Sequence, residues 1–99
     1  MAGPGYLICV VEEVTDPEAL AEYRKLFPET VIAYGGERVI GAAQRQEPVE
    51  GEAPVAILMF KFPTYEAALA WHRSPEYQPL LKMRQGATRV RMTVAEGLS

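Results

Sequence analysis

Few side chains in this 99-residue sequence could do covalent or acid-base chemistry: one aspartate (Asp16), one histidine (His72), one cysteine (Cys9), two serines (Ser74 and Ser99) and no asparagine. A Ser-His-Asp triad would have to join His72 to Asp16 and Ser74. Both of those residues stand directly before a proline, in the pairs Asp16-Pro17 and Ser74-Pro75, where the side-chain oxygen is expected to cap a helix. No triad is therefore expected. Cys9 lies in an apolar run, where a thiol is usually inert, and it has no second cysteine for an internal disulfide. A single histidine cannot build a histidine-rich metal site within one chain. With no CxxC, HExxH, P-loop or GxGxxG pattern either, neither a metal nor any other cofactor is expected.

His72 remains as the one side chain that ordinarily titrates near neutral pH. On a helix over residues 65–73 it projects about 40° from Ala68, inside an apolar arc of Tyr65, Ala67, Ala68, Leu69 and Trp71, with Glu66 and Arg73 opposite. That position predicts partial burial. It suits either a boundary histidine bonded to a backbone carbonyl or a general base in a pocket walled by Trp71, Tyr77 and Tyr34. Guanidinium groups could orient a carboxylate or enolate in such a pocket. Arg89 and Arg91 are expected to meet Glu12 and Glu13 across neighbouring strands. Arg38 and Arg84 have no obvious carboxylate partner in the sequence, which makes them the candidate ligand-binding arginines.

The elements that must position these groups are legible from patterning. Residues 6–14 read as a strand ending at Thr15-Asp16-Pro17, and a helix follows with Ala19, Leu20, Tyr23, Leu26 and Phe27 on one face. Pro28 predicts a kink or restart, with residues 29–34 as a second piece ended by Gly35 and Gly36. Residues 38–45 form a weak edge strand, because Gly41, Ala42 and Ala43 pack poorly. An acidic loop over 46–54 precedes the strongest strand, 55–62. Thr64 then caps the helix over 65–73. Ser74 and Pro75 start another short helix towards Gln85, perturbed by Pro79 and broken at Gly86, and residues 88–94 form the last strand. The order strand, helix, strand, strand, helix, strand predicts an α+β ferredoxin-like sandwich: a four-stranded antiparallel sheet with helices on one face.

Ninety-nine residues, 48% hydrophobic and 23% charged, suit one domain spanning residues 1–99. The net charge of −3 argues against nucleic acid, which needs a basic face, and against an anionic membrane surface. The first residues carry no basic segment and no apolar stretch approaches a membrane span, so a cytoplasmic protein is expected. The central strands add a sharper constraint. One strand has Tyr6, Ile8, Val10 and Val14 on one face and Leu7, Cys9 and Val11 on the other; the second has Val55, Ile57 and Met59 against Ala56, Leu58, Phe60 and Phe62. Helices on one side cover only one of those apolar faces, and a homodimer joined through the sheet would cover the second.

The chain also resembles the family catalogued as domain of unknown function 1330, in the dimeric α/β-barrel group. The resemblance is carried by Thr15-Asp16-Pro17, Ala33-Tyr34-Gly35-Gly36, Glu50-Gly51, Phe62-Pro63 and, most strongly, the run from Ala70 and Trp71 through His72, Arg73, Ser74, Pro75, Glu76 and Tyr77 to Gln78. Arg84 and Glu96-Gly97 complete it. The sequence departs from that pattern at His72, where a tyrosine would be expected, and at Pro79. The resemblance implies a homodimer whose two sheets face one another, and it implies no established reaction. Two functions are compatible with the residues. The favoured one is a non-catalytic dimer that binds a small molecule or serves as an interaction module. The other is a cofactor-independent enzyme, oxygenase- or isomerase-like, with His72 as its base.

Overall fold

Each of the first two helices starts where a side-chain oxygen accepts a bond that the first turn cannot make internally. The computed structural model describes residues 3–41 and 45–99, in the order β1 (Gly5–Val14), α1 (Pro17–Ala33), β2 (Glu37–Ile40), β3 (Ala56–Phe62), α2 (Tyr65–Arg73), α3 (Gln78–Ala87) and β4 (Thr88–Glu96). Asp16 Oδ1 accepts from the Ala19 amide at 3.1 Å, and Pro17 fills the first helical position of α1. Thr64 Oγ1 does the same for α2, accepting from Ala67 at 3.0 Å. No helix among the described residues is long and apolar enough to cross a membrane.

The prolines and one glycine behave differently from expectation. α1 continues through Pro28 without a restart. The bond that a proline forfeits is the one to the carbonyl four residues back, here on Arg24, an exposed residue of the helix. Residues 75–77 form only a turn, and α3 begins at Gln78 with Pro79 in its first turn, so Pro79 helps to open this helix where a perturbation was expected. Gln78 Nε2 ties the turn down by donating to the carbonyls of His72 (2.8 Å) and Ser74 (3.2 Å). Gly86, expected to break the chain, lies within α3. The helix ends one residue later, where the Ala87 carbonyl accepts from the amides of Thr15 (2.7 Å) and Asp16 (3.1 Å).

The end of α1 follows the glycines. Gly35 takes a φ of +82°, its amide donates to Ile32 O at 2.9 Å, and the Gly36 amide donates to Val31 O at 3.0 Å, which satisfies two carbonyls left over at the helix end. The chain then enters β2, a fully exposed edge strand that ends at Ile40. Residues 42–44 of the longer strand expected there lie outside the described residues.

The sheet is antiparallel throughout, in the order β2-β3-β1-β4. This is the expected ferredoxin-like arrangement. All three helices lie on one face, where Leu7, Cys9, Phe60 and Phe62 join Leu20, Tyr23, Phe27, Val31, Trp71 and Leu80 in one buried cluster. Tyr6, Ile8 and Val10 of β1 and Ile57 and Met59 of β3 point the other way, and no helix or strand among the described residues lies over that face. In register, Ile8 sits beside Met59 and Val10 beside Ile57, so these side chains form one continuous patch. Val14 is the exception to the expected alternation. A register shift between Val11 and Glu13 turns it to the helix side, where it packs against the core.

These local features set different costs for small substitutions. A Cβ on Gly36 would lie 2.6 Å from Val31 Cγ1 and 2.8 Å from Phe62 Cε2. Gly36→Ala is expected to destabilise by about 1–3 kcal/mol, and Asp16→Ala by about 1 kcal/mol through loss of the cap. A Cβ on Gly86 would meet nothing within 4 Å, so Gly86→Ala should stabilise by roughly 0.5–1 kcal/mol. Urea unfolding of the three variants checks the ranking; a Gly36 variant as stable as the parent would contradict this packing.

Candidate functional site

Polar side chains from three directions converge between the helices and the sheet. Tyr23 comes from the buried stripe of α1, Tyr77 from the turn before α3, and Arg84 from the buried side of α3. The Tyr23 and Tyr77 hydroxyls are 2.7 Å apart, and Arg84 Nε donates to Tyr77 Oη at 3.5 Å. Aromatic packing holds the pair in place: the Tyr23 ring stacks on Phe27 at 4.8 Å, and Tyr77 lies 4.1 Å from the Trp71 ring. Trp71 is itself fixed by its indole N–H, which donates to Thr30 Oγ1 at 3.0 Å.

Arg84 is only 7% exposed, and no carboxylate among the described residues comes within 4.0 Å of it. It lines a cavity of about 50 Å³ whose walls are mostly apolar, with Leu7, Phe27, Leu58, Phe60, Val90 and Met92 among them. Cys9, Tyr23 and Thr88 contribute the other polar atoms, and the exposed residue Arg24 stands at the rim. Burial pushes the Cys9 thiol up to about 12, an effect that the nearby Arg84 charge only partly offsets. Burial, with the Tyr77 hydroxyl beside it, also raises Tyr23 far above the ordinary phenol range. Both groups stay protonated at neutral pH. The cavity therefore offers a fixed cation, hydroxyl groups and apolar walls, which can recognise a ligand but supply no ready base or nucleophile.

Of the residues singled out in the sequence, Trp71 and Arg84 line this cavity and Tyr77 is bonded to Arg84 behind it. His72 lies elsewhere. It is half-buried, 5.7 Å from the Tyr77 ring, and faces a separate depression of about 200 Å³ with Leu69, Arg73 and Val94. Desolvation lowers its pKa, with the Arg84 and Arg73 charges adding to the effect. The two hollows share Leu7 and Met92 as walls. Tyr34 is remote from both: its hydroxyl donates to Glu76 Oε2 at 3.2 Å near the surface. Arg38 sits over the Phe60 ring at 5.7 Å, beside a third depression next to Val31 and Gly36. Of the strand arginines, Arg91 pairs with Glu12 at 3.1 Å as expected, whereas Arg89 faces Glu13 in register without an ion pair. Helical periodicity places Tyr23 on the buried face of α1 and assigns it no part in a site. The usable signal was that it is the one residue of that apolar arc with a hydroxyl, which must find a partner once buried.

Two outcomes follow from these environments. Cys9 should resist alkylation at mildly alkaline pH in the native protein and react once urea unfolds it; a native rate like that of a free thiol would contradict its burial. The depressed His72 means that the unfolded chain binds a proton more readily than the folded one. Stability is therefore full above the ordinary value of 6.5 and is lost as pH falls from there through the lower folded value. His72→Gln should flatten that part of the stability profile in chemical denaturation, and an unchanged slope would contradict the assignment.

The same fold occurs in proteins of distant sequence. A protein of unknown function from Rhodopseudomonas palustris superposes with a TM-score of 0.78 at 22% identity, covering 100% of this chain and 85% of that one. A protein from Nitrosomonas europaea, provisionally described as an antibiotic biosynthesis monooxygenase, gives 0.65 at 15% identity over 99% of this chain and 93% of its own. A dimeric protein of unknown function with a ferredoxin-like fold, from Bacteroides fragilis, gives 0.59 at 16% identity over 96% and 97% of the two chains. No functionally curated protein matches the sequence. The family model described as a domain of unknown function, DUF1330, matches residues 4–98, and the chain belongs to that family.

Proposed function

We propose that this protein is a small-ligand-binding homodimer of the cytoplasm, with one ligand cavity per subunit and the dimer joined through the open sheet face. The observation that carries the ligand-binding reading is the buried Arg84 guanidinium, which has a cavity in front of it and no acidic partner among the described residues. A charge without a counter-charge costs several kcal/mol to keep out of water, so it is retained where something else needs it. The dimer reading is supported by the uncovered patch of Tyr6, Ile8, Val10, Ile57 and Met59 and by the dimeric state of the Bacteroides fragilis protein. The single free thiol suits a reducing compartment.

A second reading is favoured by the imidazole of His72, whose ring takes part in no hydrogen bond with the described residues. A lowered pKa keeps it neutral at physiological pH, as a proton acceptor must be. A cofactor-independent enzyme, oxygenase- or isomerase-like, would use it on a substrate lying across the two adjoining hollows. The similarity in fold to the Nitrosomonas europaea protein supports that class no further than shape.

Light scattering should return twice the chain mass of 11.0 kDa, and Met59→Glu should shift the protein towards monomer. A monomer at micromolar concentration contradicts the dimer. A thermal-shift screen of small metabolites tests the cavity, since a ligand at 100 times its dissociation constant adds about 2.7 kcal/mol. At least one compound is expected to stabilise the protein, with the effect lost in Phe60→Trp, which fills the cavity; no hit in a broad set contradicts ligand binding. Any turnover found should vanish in His72→Ala while dimerisation persists, and full activity in that variant removes the enzymatic reading.

A further inference from the structure

We infer that the cavity in front of Arg84 takes a short-chain monocarboxylate, with its carboxylate on the guanidinium and its carbon chain among the apolar walls; this deepens the ligand-binding reading and rests on it. The argument starts from an unbalanced charge. A buried arginine normally pairs with a carboxylate, and none among the described residues comes within 4.0 Å of Arg84. Burial keeps two of the neighbouring groups that could become anionic, Cys9 and Tyr23, neutral. The cavity lies on the helix side of the sheet, opposite the face on which a partner would dock.

The geometry then limits what can fill the role. Nε is occupied by Tyr77, no buried polar side-chain atom among the described residues lacks a partner, and Arg84 lines the cavity, so its guanidinium is not sealed away from a ligand there. The planar fork of a guanidinium matches the two oxygens of a carboxylate. A single buried cation balances one negative charge, which disfavours phosphate, and the walls around it are largely apolar. A volume of about 50 Å³ holds only a few water-sized groups, so the carbon body must be short. Arg24 at the rim adds a second positive charge that draws anions towards the mouth.

The experiment compares butyrate with butyramide, which has nearly the same shape and no charge, and with inorganic phosphate at matched ionic strength, by calorimetry on the intact protein. Butyrate is expected to bind at least about tenfold more tightly than butyramide, reflecting a charge-assisted fork, with phosphate indistinguishable from chloride. Arg84→Gln should erase the difference between acid and amide. Without ligand it should be as stable as the parent or more so, because it removes an uncompensated charge; a purely structural arginine would instead leave the variant destabilised. If that variant fails to fold, the parent comparison still decides, and the failure itself counts against the inference. Equal binding of acid and amide overturns the carboxylate while leaving the cavity as a ligand site. Phosphate binding as tight as butyrate overturns the ligand class. Binding of neither butyrate nor butyramide overturns the inference outright, and the metabolite screen then judges the cavity separately.

Discussion

The positive charge of Arg84, buried between the helices and the sheet with no acidic partner among the described residues, is the constraint that the helical layer has to accommodate. Its Nε–H reaches Tyr77, Tyr77 reaches Tyr23, and the two hydroxyls thereby join α1 to the turn that opens α3. A hydrogen-bonded chain of this kind is worth having only if every member is held still. The stacking of Tyr23 on Phe27 and of Tyr77 against Trp71 provides that rigidity, and the indole bond to Thr30 returns the network to α1. Ser74 finishes the framework: its hydroxyl donates to Trp71 O at 2.7 Å and accepts from the Tyr77 amide at 3.3 Å, which sets where the Tyr77 ring enters the core.

The sheet divides the two proposed roles of the protein. On its covered side, Leu7, Cys9 and Phe60 form both core and cavity wall. On the other side the same strands present Ile8, Val10, Ile57 and Met59, with no helix or strand among the described residues above them. The molecule is 17 Å across its shortest axis, one sheet under one layer of helices, so each sheet face can be occupied without interfering with the other. A partner subunit would stiffen the strands that carry Cys9 and Phe60 without blocking the cavity mouth beside Arg24 on α1.

Much of this was legible in the sequence wherever a local rule has a direct structural consequence. Asp16 and Thr64 cap because their oxygens find the first-turn amides, whatever the rest of the fold does. The doubly apolar strands followed from alternation alone, and Arg84 stood out because no acid flanks it. The failures share a cause, which is that the deciding partner is distant in sequence or absent from it. α1 runs on through Pro28, where one bond is forfeited at the exposed residue Arg24, and α3 runs on through Gly86 because neighbouring bonds hold it as far as Ala87. The irregularity at Glu12, which turns Val14 inward, depends on the register with β4. The enzymatic reading needs His72 in one pocket with Arg38 or Arg84, and the structure sets it in a different hollow, beside Arg73. Helical periodicity placed its ring at the boundary correctly, but which hollow lies beneath it depends on Leu7 and Met92, from strands at opposite ends of the chain.

The most direct measurement of the central claim is the arginine Nε–Hε region of a ¹H–¹⁵N spectrum recorded while butyrate is added. The Arg84 signal should be sharp and protected from exchange in the free protein, as befits a buried guanidinium, and it should shift on titration while those of Arg73, Arg89 and Arg91 stay in place. An Arg84 signal that exchanges as freely as the surface arginines, or that stays fixed while theirs move, would contradict the account.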